Sequence, residues 1–149
     1  MANADAVGVE GAPFELDVER GKIREFAVAT HSSNPDYLDR EEPVSPPTFL
    51  TTTLFWQPEE GNPWSAVELD QKRGLHAEQQ YEFFGPPPAA GTRLTCTSRI
   101  SDVYTKQGRR GGEMTFAVMV TDFVDDAGQL VARATLTGVE TARPATEAS

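Results

Sequence analysis

The C-terminal half of the chain most constrains what it can become. Four runs, LHAEQQYEFFG (75–85), TRLTCTSRISDVYTK (92–106), GEMTFAVMVTDFVD (112–125) and QLVARATLTGVET (129–141), are rich in β-branched and aromatic residues. The breaks between them are made of turn formers. Pro86, Pro87 and Pro88 cannot donate to a ladder and end the first run, while Gly108, Gly111 and Gly112 serve the break after the second. Asp126-Ala127-Gly128 supplies a hairpin in which Gly128 is free to take positive φ. Successive strands of this kind predict an antiparallel meander.

The first half reads differently. FELDVE alternates Phe14, Leu16 and Val18 with acidic residues, which predicts a short strand with one buried face. RGKIREFAVAT then sets Ile23, Phe26, Ala27 and Thr30 at helical spacing, and the helix should stop before the turn formers Ser32, Ser33, Asn34 and Pro35. Residues 38–47, charged and proline-rich, read as an exposed loop. TFLTTTLFWQ follows Pro46-Pro47 and reads as a short helix buried all round, because Phe49, Leu50, Leu54, Phe55 and Trp56 leave it little polar surface. The next connection holds one helical turn near Ser65 to Leu69. Strand, helix, loop, buried helix and meander together predict an α+β domain with a sheet packed against a helix. The expected bounds are a flexible N-terminus over 1–13, one domain over 14–141 and a flexible tail over 142–149.

Composition narrows the function classes. A chain of 149 residues with 38% hydrophobic residues buries one core. A formal net charge of −10 repels polyphosphate backbones, so no nucleic acid partner is expected; the one dense basic spot is KQGRR at Lys106 to Arg110. No apolar run approaches the ~20 residues that cross a bilayer, and the first residues lack a basic start and an apolar core, so no membrane association and a cytoplasmic location are expected. Cys96 stands alone as a small buried hydrophobe. Two histidines far apart, without H-x-E or CxxC spacing, assemble no metal site.

The strings IREFAVATHSSNPDY, PPTFL, LHAEQQYEF and DVYTKQGRRGGEMTFAVMVTDFVDDAGQLVARATLT, in this order, resemble the N-terminal dehydratase-type domain of the MaoC-like hydratases over residues 14–140. The resemblance implies a hot-dog fold, an antiparallel sheet wrapped around a central helix. It also implies association of two hot-dog units, acyl-CoA or acyl-ACP thioesters as substrate, and no cofactor. Active members carry Gly-Asp-x-Asn-Pro-x-His, in which Asp and His hold the water that adds to a 2-enoyl thioester. Here the motif falls on His31 to Tyr37. Asn34 and Pro35 match, but the Asp position holds Ser32 and the His position holds Tyr37, so no catalytic pair is expected. His31 and Asp36 have the right types but are displaced and in swapped order. His76 is placed by strand alternation with Glu78 and Gln80, opposite Gln79 and Tyr81, and is the other alternative catalytic candidate.

The resemblance implies acyl contacts from Asn34, Tyr37, Phe49, Phe55 and Trp56 beside the central helix. Arg109 and Arg110 have the chemistry to meet a coenzyme phosphate, though a solvated hairpin tip is the favoured account of them. The implied role is a non-catalytic, acyl-binding subunit of a heteromeric (R)-specific enoyl-thioester hydratase or 3-hydroxyacyl-thioester dehydratase, in fatty acid or steroid side-chain metabolism. A catalytic MaoC-like hot-dog partner would complete it, in a dimer or higher oligomer. The alternatives are a self-sufficient homodimeric hydratase or thioesterase, and a non-enzymatic acyl-thioester-binding protein.

Overall fold

The computed structural model describes residues 2–108 and 112–142. The chain begins with a 3₁₀ turn at Ala4–Ala6, followed by β1 (Phe14–Asp17), α1 (Arg20–Ala29) and a one-turn helix α2 (Pro35–Leu38). Two 3₁₀ segments follow, Phe49–Phe55 and Pro63–Val67. The strands β2 (Gly74–Phe83), β3 (Arg93–Gln107), β4 (Glu113–Asp125) and β5 (Leu130–Glu140) complete the sheet. Every pairing is antiparallel, in the order β1-β3-β4-β5-β2.

The predicted meander holds for β3, β4 and β5 and fails for β2, which crosses to the far edge beside β5. The reason lies in the connection. Pro86 to Pro88 do not make a tight turn; the Pro88 carbonyl instead accepts from the Ser45 N–H at 2.9 Å, and the chain travels across the molecule before β3 begins. The same contact corrects the reading of 38–47 as an exposed loop. Pro43, Ser45 and Pro46 are buried, and the Pro43 carbonyl takes the Ala90 N–H at 2.9 Å.

One face of the sheet carries the core, in two patches. Leu16, Leu94, Cys96, Phe123 and Ala132 meet Ile23 of α1 and Phe49 and Leu50 of the first 3₁₀ segment. Further along, Ile100, Ala117 and Met119 meet Val67, Ala2 and Ala6, with Trp64 and Leu69 packed beside them. The N-terminal stretch expected to fray is thus held down: Gly8 and Gly11 donate to the carbonyls of Ile100 and Ser98 at 2.9 and 2.8 Å. Small alanines close this patch and carry no periodic signal in the sequence. On the opposite face Asp122 lies between Arg99 at 2.9 Å and Arg133 at 2.5 Å. Burial pushes its carboxyl up, but the two guanidiniums outweigh that and hold it below the ordinary carboxylate range.

The segment read as an all-round buried helix is a 3₁₀ turn with one buried side. Three successive threonines crowd an α-helical turn, and the Thr53 hydroxyl turns back to the Leu50 carbonyl. At three residues per turn, Phe49, Leu50 and Thr52 face inward. Leu54 is 63% exposed and Phe55 77% exposed.

Candidate functional site

The Asn-Pro loop is built around backbone needs. α1 ends with His31 in the left-handed region at φ 57°, which lets the Ser32 N–H return to the Ala27 carbonyl at 2.8 Å. The His31 side chain is exposed. Ser32 accepts from the Asn34 N–H at 3.3 Å, and Asn34 caps α2 by accepting from the Asp36 N–H at 2.9 Å. Asp36 pairs with Arg40 at 2.8 Å, and no hydrogen bond or ion pair among the described residues joins it to His31. Tyr37 is half-buried with its ring against the core patch of α1. The hydroxyl of Ser32 and the side chain of Asn34 are thus engaged in shaping the turn.

A second locus lies between the first 3₁₀ segment and the sheet. There a groove of about 210 Å³ has an apolar floor that includes Met119, Phe123 and Leu136. The segment contributes Leu50, Thr51, Thr53 and Leu54, which follow its period of three, and Gln57 adds to the wall just beyond its end. The predicted contacts Phe49, Phe55 and Trp56 do not line this groove: Phe49 is buried in the core, Trp56 packs beside it, and Phe55 faces solvent. An α-helical reading of the segment hid the residues that do line it.

The far wall comes from β2, where the structure corrects the placement of His76. The register shifts between His76 and Glu78, so Ala77 is an extra residue opposite β5. His76 pairs with Gly138 and Gln79 with Leu136, and His76, Gln79 and Tyr81 all line the groove. Strict alternation puts His76 with Glu78 and Gln80; the bulge reverses it. Nothing in the sequence marks that bulge, since neither glycine nor proline stands there. His76 remains exposed at the groove mouth.

Several other polar groups of the groove are engaged by hydrogen bonds. Burial raises the Tyr81 phenol above its ordinary range, partly offset by a hydrogen bond with Thr51. Gln79 donates through Nε2 to the Thr135 carbonyl at 3.3 Å, and beneath the floor the Ser98 and Thr121 hydroxyls lie 2.8 Å apart. Cys96 is buried and its thiol is pushed up to about 12, which leaves it without nucleophilic character near neutral pH. Among the described residues no group of three or more His, Cys, Asp or Glu is placed to hold a metal ion, and no helix is long and apolar enough to cross a membrane. Arg109 and Arg110 lie outside the described residues.

Residues 5–134 match the family described as FAS1-like, dehydratase domain region. A UPF0336 protein of Streptomyces coelicolor is 35% identical over 105 residues, 65% of this chain and 68% of that protein. Two solved structures share the fold. The C-terminally truncated HadBC (3R-hydroxyacyl-ACP dehydratase) complex of Mycobacterium tuberculosis matches with a TM-score of 0.66 at 21% identity, covering 90% of this chain and 98% of that one. The ChsH1–ChsH2 complex of the same organism matches with a TM-score of 0.74 at 16% identity, covering 95% and 88%. The five-stranded antiparallel sheet over a short helical segment is the hot-dog arrangement.

Proposed function

Because the chain belongs to the FAS1-like dehydratase-region family, we propose that it is the acyl-binding, non-catalytic subunit of a heteromeric enoyl-thioester hydratase or 3-hydroxyacyl-thioester dehydratase. The observation that carries this reading is the Asn-Pro loop. Ser32 occupies the position of the motif's acid and is engaged with the Asn34 N–H, while Tyr37 occupies that of its base and packs against the core. Neither residue type is a base near neutral pH, so neither activates water without a partner. The groove beside Thr51, Tyr81 and Gln79 then receives the acyl group, and a second hot-dog chain brings the Asp and His.

The free side of β2 and the exposed Leu54 and Phe55 supply a surface for that chain. The structural neighbours HadBC and ChsH1–ChsH2 are themselves complexes, which supports pairing with a distinct subunit. The reaction proposed needs no cofactor, and its substrate is an acyl-CoA or acyl-ACP thioester. A cytoplasmic location suits such substrates.

The test is turnover by the purified chain, alone and mixed with a hot-dog subunit carrying an intact Asp-x-Asn-Pro-x-His. Alone, it should hydrate crotonyl thioesters no faster than buffer. The mixture should turn over, and Tyr37→Phe in this chain should change its rate by no more than a few fold. A second reading, a self-sufficient hydratase or thioesterase, is favoured by the bulge that turns His76 into the groove. Robust activity of the unmixed chain, abolished by His76→Ala, establishes that reading and overturns the first.

A further inference from the structure

In an acidic chain, arginines find carboxylates. Among the described residues Arg40, Arg73, Arg93, Arg99 and Arg133 each bridge to an Asp or Glu. Arg20 and Arg24 form no ion pair with the described residues, although Asp and Glu outnumber Lys and Arg by 23 to 13 in the chain. These two lie one turn apart on α1, on the same side of the helix, and both line one cavity of about 310 Å³. Its remaining walls are Gly21, Tyr37 and Leu38, and no carboxylate lines it. Arg24 is held in place by donating through Nη1 to the Leu38 carbonyl at 3.2 Å, which leaves its other N–H groups for a ligand.

Gly21 is the second peculiarity. It is the exposed second residue of α1, a Cβ there meets nothing within 4 Å, and its φ is not left-handed. Neither packing nor backbone conformation requires it. A glycine bordering a basic cavity permits what a side chain obstructs, the approach of a ligand to the backbone.

We propose that Arg20, Gly21 and Arg24 form a binding site for a phosphate ester. Paired guanidiniums match the oxygens of a phosphate, and a cavity of this size suits one small anion better than an extended acidic surface. The net charge of −10 opposes long polyanions, so the phosphate comes on an otherwise neutral or short molecule. Arg20 also borders the depression of Asp17, Glu19, Glu41 and Glu42, so Arg24 is the principal anchor. The source of the phosphate rests on the acyl-thioester reading above: the pantetheine-arm phosphate shared by both carriers, or the nucleotide phosphates of the coenzyme.

The test follows backbone amide shifts of the full chain while inorganic phosphate, 4′-phosphopantetheine and adenosine 3′,5′-bisphosphate are added separately. Saturable shifts at Arg20, Gly21 and Arg24 are expected with phosphate and at least one ester. Arg24→Gln should weaken binding about tenfold. Gly21→Ala should weaken it too without lowering the melting temperature, a pairing that a purely structural glycine does not give. Preference for 4′-phosphopantetheine identifies the carrier arm as source, and preference for the bisphosphate identifies the nucleotide. Absence of saturable binding, or shifts confined to residues near Arg109 and Arg110 and unmoved by Arg24→Gln, overturns the site. Unphosphorylated crotonyl pantetheine thioester separates the two proposals, because its failure to shift groove residues such as Tyr81 and Leu136 counts against the acyl-binding reading alone.

Discussion

The two ends of the covered sheet face are finished differently. At one end the chain closes its own core: Trp64 lies against Gly138 of β5, and Val67, Ala2 and Ala6 fill the space beside it. At the other, the 3₁₀ segment seals Phe49 and Leu50 beneath it but leaves Leu54 and Phe55 outside and a groove along β2. A depression of about 280 Å³ beside Trp64, Leu69 and Gly138 remains at the first end too, so the ends differ in the rim rather than in closure: the second leaves Leu54 and Phe55 the more exposed, which suits a ligand, a partner or both. The contrast assigns stability to the Trp64 end and to the floor of the groove end, and association to the rim.

Three substitutions test that assignment. Phe49→Ala should have the largest effect, because the ring is fully buried and meets Phe26 edge-on at 5.7 Å. A loss of about 3 to 5 kcal/mol in denaturant unfolding is expected, and a loss below ~1 kcal/mol shows the groove end to be loosely packed. Gly138→Val comes next. A Cβ at this position lies 2.7 Å from the Trp64 ring, so the Trp64 end must shift, at a cost of about 1 to 3 kcal/mol and with altered Trp64 fluorescence in a Trp56→Phe background. Unchanged stability and emission break the claim that this end is packed by ring-on-backbone contact. The smallest effect on folding belongs to Leu54→Ser combined with Phe55→Ser, within ~0.5 kcal/mol for the single chain. Their effect should appear in association: light scattering at micromolar concentration should show at least a dimer for the parent and a smaller species for the variant. A parent that is a clean monomer removes the rim from the argument.

The strands were legible in the sequence because period-two patterning and turn residues agree along 92–141. The place of β2 was not. Its alternation says strand, but which neighbour it pairs with depends on where Pro86 to Pro88 lead, and that is settled by Pro43 and Ser45 forty residues earlier. Phe49 to Phe55 is too short to separate a period of 3.0 from 3.6 by eye, and the difference decides whether Phe55 or Leu54 faces the groove. The Asn-Pro loop was visible as a motif with two positions changed. The cavity of Arg20 and Arg24 was not, since unpaired charge is a property of neighbours, and arginines on a helix surface ordinarily mean only solvation.

The extra residue Ala77 bears on how selective this chain is in its company. An uninterrupted edge strand from Gly74 to Phe83 offers ten residues of open ladder to any extended polypeptide, including the self-templating kind that ends in aggregates. The bulge breaks the regular spacing of N–H and C=O groups after His76, so a regular ladder remains only from Glu78 to Phe83, about 20 Å of strand. A visitor must match that short length and meet the charges of Glu78 and Glu82 as well. Deleting Ala77 therefore does more than rotate His76: it lengthens the sticky edge, and greater turbidity on storage or heating is the cost to look for in such a deletion.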